Sequence, residues 1–122
     1  MKRIIYIVLF GSVAMFFSCE NAQLPVPDNT LPTNVSFTSQ VLPILNKNCN
    51  TSGCHSAGSI PPDLSEGNAF NSLTLGGMIN LTTPDQSIIY KRIIKDMPPG
   101  GLIPQEDKNI ILGWITEGAQ NN

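Results

Sequence analysis

The chain has 122 residues with seven Lys and Arg against nine Asp and Glu, a formal net charge of −2, and a single His, a single Trp and three Cys. That length supports one domain at most. A mildly acidic chain with no basic cluster is a poor candidate for binding nucleic acid.

The N-terminus opens with Lys2 and Arg3, then an apolar run over residues 4–17, then Ser18 and Cys19. The run is shorter than the roughly 20 apolar residues of a membrane span. It fits the apolar region of a secretory signal peptide behind a basic start. The small residue before the cysteine resembles the cleavage site of bacterial lipoproteins. That resemblance implies a signal peptide over residues 1–18 and a lipid on Cys19, which would hold the mature chain to a membrane of the cell envelope, on its periplasmic or surface side. Loss of Lys2 and Arg3 leaves five basic against nine acidic residues, a formal charge of −4. Export also means an oxidising compartment, where Cys49 and Cys54 must be disulfide-bonded, metal-bound or otherwise protected.

Residues 19–35 carry three prolines and few large apolar side chains. They read as a tether, with a reach of about 50 Å if extended at about 3.1 Å per residue. The domain proper is expected over residues 36–122. Its first helix is marked by Phe37, Val41, Ile44 and Leu45, spaced i, i+4, i+7 and i+8. Ser36 or Ser39 can cap it, Pro43 predicts a kink or a late start, and the helix should end near Asn48. Residues 56–83 read as loops with a short helical turn around residues 66–73. A second helical pattern follows in "TPDQSIIYKRIIKD", with Asp85 in its first turn and Lys95 in its last, as the helix dipole favours. "MPPGG" stops it.

The last helix is "PQEDKNIILGWITEG", with Pro104 at its first position, Glu106 and Asp107 in its first turn, and Gly118 as its stop. Its apolar stripe is Ile110, Ile111, Trp114 and Ile115, and Gly113 predicts close approach by another helix. No internal repeat and no β-type alternation is present. A mostly helical chain with this much Gly and Pro buries too little apolar surface to be comfortably stable without a staple or a cofactor.

Cys49, Cys54 and His55 lie within "CNTSGCH". Three chemistries compete for them. A disulfide between Cys49 and Cys54 would close a very small loop and leave His55 idle, giving a stapled envelope-binding lipoprotein without haem. A structural zinc site needs four N or S donors, and only three soft ones exist here. Covalent haem uses both thiols for addition across two vinyl groups and the adjacent imidazole as an iron ligand. The usual gap between the cysteines is two residues, and here it is four, with Gly53 permitting a tight turn. A second axial ligand is required in an electron carrier, and a Met raises the potential. After the signal, only Met78 and Met97 remain. Pro98 and Pro99 stiffen the segment around Met97, which favours it as the distal ligand. Either Met is otherwise core filler.

Pro61 or Pro62 can offer a carbonyl to His55, and Tyr90, Arg92 and Trp114 can reach haem propionates or simply pack. With the only His given to iron, no base is left for peroxidase chemistry. An open sixth position would instead give a haem enzyme or a gas sensor.

"F-x3-V-L-P-I-L-x3-C", "C-H", "S-I-I-Y-K-R-I", "M-P-P-G-G" and "W-I-T-E-G-A", in that order over residues 36–119, resemble bacterial class I-like monohaem c-type cytochromes. The resemblance implies an all-α domain whose first and last helices pack across each other, with long loops around one covalent haem c. It implies thioethers at Cys49 and Cys54, His55 as proximal and Met97 as distal iron ligand. It also implies electron transfer with redox protein partners in the envelope, rather than catalysis on a small-molecule substrate.

Overall fold

The computed structural model describes residues 30–122. The signal peptide, Cys19 and most of the expected tether therefore lie outside the described residues. The described chain is helical, with no strand among its residues. A π-helical turn, Phe37–Val41, runs directly into α1, Leu42–Asn48; α2 is Ala69–Thr74, α3 is Ile88–Lys95 and α4 is Gln105–Thr116. None of these helices is long and apolar enough to cross a membrane.

Pro43 explains the wide opening turn. It has no N–H for an α-helical bond to Ser39, and the bonds before it run one residue longer. Val41 N–H reaches the Ser36 carbonyl at 3.3 Å, and Leu42 N–H reaches the Phe37 carbonyl. The regular α-helix then begins at Leu42, so the late start expected from Pro43 is realised as a π turn. Ser36 caps that turn, its hydroxyl accepting from Ser39 N–H at 3.2 Å.

The four apolar residues that mark this first helical segment are buried, and Leu42 with them, with Val41 and Leu45 fully enclosed. They meet Ile111, Trp114 and Ile115 of α4 in one core. Phe37, Phe70 and Trp114 form an aromatic triad with ring centroids 5.1 to 6.4 Å apart, in the tilted and edge-on arrangements that ring quadrupoles favour. Trp114 donates its Nε1–H to the Gln120 carbonyl at 2.8 Å. Of the two roles the sequence allows Trp114, the structure supports packing. α4 lies against the π turn and α3.

Pro104 stands just before α4 rather than inside it, with an extended ψ of 149°. The helix closes in a Schellman motif: Gly118 N–H bonds the Ile115 carbonyl and Ala119 N–H bonds the Trp114 carbonyl. Gly118 takes the required positive φ, +98°. The expected single helix over "TPDQSIIYKRIIKD" is divided. A 3₁₀ turn, Pro84–Gln86, holds Asp85, and α3 begins only after Ser87. Ser87 is buried and its hydroxyl accepts from Asn80 N–H at 2.9 Å, which holds its backbone extended, at ψ 136°, outside the helix.

Two expectations change at the N-terminal side. Gly113 does admit close approach, but from the chain at Pro32, not from a helix: a Cβ there would stand 2.7 Å from the Pro32 carbonyl oxygen. The end of the expected tether is also packed on the domain. Val35 is buried in the core, and Glu117 accepts from Asn34 N–H at 2.6 Å and Val35 N–H at 2.8 Å. The Asn122 carbonyl accepts from Ser36 hydroxyl and Thr38 N–H, both at 2.9 Å, and its Oδ1 accepts from Phe37 N–H at 2.8 Å. Packing thus begins at Pro32, ahead of the expected boundary at residue 36.

Candidate functional site

α1 delivers the site loop. Its last turn bonds Cys49 N–H and Asn50 N–H to the same Leu45 carbonyl, at 2.8 and 2.9 Å, so Cys49 sits fixed at the helix end. The four residues between the cysteines form a turn at the rim of the cleft, which Thr51 and Gly53 help to line, with Cys54 N–H donating to the Thr51 carbonyl at 2.9 Å and Gly53 at φ +79°. Thr51, Ser52 and Gly53 are exposed. Beneath them His55 N–H donates to the Cys49 carbonyl at 3.2 Å. The longer gap is therefore absorbed by an exposed bulge at the rim of the cleft, closed at its base.

His55 is oriented from the other side. Its Nδ1 lies 3.0 Å from the Ile60 carbonyl and 3.1 Å from the Pro62 carbonyl. Two acceptors at Nδ1 select the tautomer with its proton there, leaving Nε2 with a free lone pair for a metal. Pro62 is one of the two carbonyls the sequence suggests. Ile60 was not foreseen, and a backbone acceptor leaves no side-chain signal by which to find it.

Opposite this loop stand α3 and the segments flanking it. Met97 leaves α3 directly, its N–H bonded to the Arg92 carbonyl at 2.9 Å, and Pro98 and Pro99 follow into a turn closed by Gly101 N–H to the Pro98 carbonyl at 3.3 Å. Met78 is bound at both sides, its N–H to the Leu73 carbonyl at 3.0 Å and its carbonyl to Ile89 N–H at 3.3 Å.

Between the two walls lies a cleft of about 630 Å³, lined by Cys49, Cys54, His55, Met78 and Met97 together with Ile60, Leu64, Leu73, Ile88, Ile89, Ile93 and Pro61, Pro62, Pro98 and Pro99. That volume lies within the roughly 300–1,000 Å³ range of pockets for organic ligands. Arg92 is the one Lys, Arg, Asp or Glu on the lining, and its Nη1 donates to Asp96 Oδ2 at 2.8 Å across one helical turn. That i, i+4 spacing was readable in the sequence. Tyr90 packs on the core and does not line the cleft.

The two thiols are free and unlike. Cys49 is 9 % exposed, and burial, with a smaller contribution from the nearby Cys54, pushes its pKa up to about 11. Cys54 is exposed. Among the described residues no three His, Cys, Asp or Glu side chains converge as a metal site. No disulfide joins the cysteines.

Comparison with protein-family models, with curated proteins and with solved structures finds no match.

Proposed function

We propose that the chain is a lipid-anchored electron carrier of the bacterial cell envelope, holding one c-type haem in the cleft between the His55 loop and α3. The observation that carries this reading is the meeting of distant sequence segments. Cys49, Cys54 and His55 come from one loop, Met97 from another about forty residues on, and all four line one apolar cleft. A class I cytochrome-like fold is the finer reading of the helical architecture, and the packing of α4 on the first helical segment supports it.

The residues present suit the cofactor. Cys49 and Cys54 would hold it by thioethers, the His55 Nε2 lone pair is free for iron because Nδ1 is tied to two carbonyls, and Met97 brings a thioether from the other wall. When bound, the haem supplies a one-electron change between ferrous and ferric iron. Most of the lining is apolar, and His55 and Met97 would both be taken up as ligands of the iron, leaving no place there for a substrate. Partners are then other redox proteins rather than small molecules.

Two measurements test the reading. Protein from a host competent in cytochrome c maturation should stain for haem on a denaturing gel. Replacing both cysteines by Ala should release the haem into acidified organic solvent, whereas either single change leaves one thioether and moves the reduced α-band to longer wavelength. Wild-type protein from such a host without covalent haem overturns the proposal. Separately, Cys19→Ser should move the chain from the detergent phase to the aqueous phase; a wild type already in the aqueous phase and free of lipid removes the anchor.

A further inference from the structure

We infer that the two site thiols react in a fixed order, Cys54 first and Cys49 only from inside the cleft. The electrophile is a vinyl group of a porphyrin, an identity that rests on the proposed function; the order itself rests on the fold. Cys54 is exposed on the bulged turn at the edge of the cleft. Cys49 is 9 % exposed, fixed by its N–H bond to the Leu45 carbonyl at the end of α1. The His55 N–H bond to the Cys49 carbonyl at 3.2 Å closes the base of the bulge, so the loop cannot turn over and exchange the two positions without breaking it. A reagent in solvent meets Cys54 directly. It reaches Cys49 only after occupying the cleft.

Each addition balances without an outside reagent. The S–H bond breaks, sulfur forms a C–S bond to the inner vinyl carbon, and the proton ends on the outer vinyl carbon, with no oxidant or reductant consumed. Capture at Cys54 would hold the macrocycle beside the cleft and make the second addition effectively intramolecular, where correct positioning gives a large rate advantage. The unusual four-residue gap thereby acquires a role. It carries the first thiol outward while its partner stays on the wall.

The order is tested first on the reduced full-length chain produced without haem, using iodoacetamide and peptide mass mapping. Cys54 should be alkylated about ten-fold or more faster than Cys49 in native buffer, because thiol reactivity follows exposure, and the two rates should converge in urea. Equal rates in native buffer, or faster labelling of Cys49, overturn the inference. In a maturation-competent host, Cys49→Ser should keep covalent haem through Cys54, whereas Cys54→Ser should carry several-fold less; equal or reversed yields also overturn it. Wild type without covalent haem but with the labelling order intact would retire the haem proposal and leave the thiol order standing.

Discussion

Met78 and Met97 both line the cleft, so on the haem reading proposed above the choice of distal ligand turns on how each is held. Met97 follows α3 without a break and is backed by two prolines, whereas Met78 spends its backbone groups joining the end of α2 to the start of α3. Met97→Ala should therefore abolish the iron–sulfur charge-transfer band, lower the midpoint potential, since a thioether ligand raises it, and open the iron to carbon monoxide. Met78→Ala should keep the band; its loss there would reverse the assignment. The grouping of Cys49, Cys54 and His55 was legible because they are near neighbours in sequence, and the prolines after Met97 favoured it over Met78. That both methionines reach the same cleft and that the Ile60 carbonyl meets His55 were not legible, because these positions follow from the fold.

Glu117 offers a second test at a single residue. Its carboxylate accepts the Val35 and Asn34 N–H bonds, which hold its pKa below the ordinary carboxyl value. A depressed folded-state pKa means stability that is fully present above the ordinary carboxyl range and lost as pH falls through the lowered value. Asp63 contributes in the same direction through the Ser65 hydroxyl and N–H bonds, but it is common to wild type and variant. Glu117→Gln, with one acceptor oxygen where two were used, should lower the urea midpoint at neutral pH. The gap from wild type should close as the solution is acidified below the carboxyl range. A gap that persists unchanged at low pH would refute the carboxylate's role.

Among the elements, α4 and the first helical segment were the most legible, since a 3.6-residue apolar period survives any detail of packing. The break at Ser87 was not, because it depends on a hydroxyl meeting the Asn80 N–H, seven residues back and outside the helix pattern. The sequence around Gly113 signalled close approach without identifying what approaches. On an exposed helix, Gly113→Ala would add up to about 1 kcal/mol of helix propensity. Here the methyl meets the Pro32 carbonyl oxygen, a backbone atom that cannot rotate away. Overpacking of about 1–3 kcal/mol should outweigh that gain. The variant should unfold at lower urea than wild type and release residues 33–35 to faster amide exchange. A more stable alanine variant would show that Pro32 does not sit on α4.

On the scale of the whole molecule, the core is bounded on one side by the cleft, whose walls include buried Leu64, Leu73, Ile89 and Ile93. An occupant held there by thioethers would stay on the unfolded chain as well, but it would bury its apolar faces and keep the His55 and Met97 contacts only in the folded one, and so would stabilise the fold. The full-length chain made without haem should therefore unfold at a clearly lower urea midpoint than the haem-loaded protein, with faster amide exchange in α3 and at Leu64. Equal midpoints would mean that the cleft needs no occupant to complete the core. Ser36 and Asn122, meanwhile, share a hydrogen bond although they stand 86 positions apart. Residues that close can be rejoined by a short peptide linker, the condition under which circular permutation succeeds. A permutant running from 82 to 122, through the linker, and on from 32 to 81 would keep the packed Pro32–Val35 segment and both walls of the cleft while moving its free ends to the exposed 81–82 link. The place where this domain meets the rest of its chain is thus separable from the cleft, and a designer can hang it from either side.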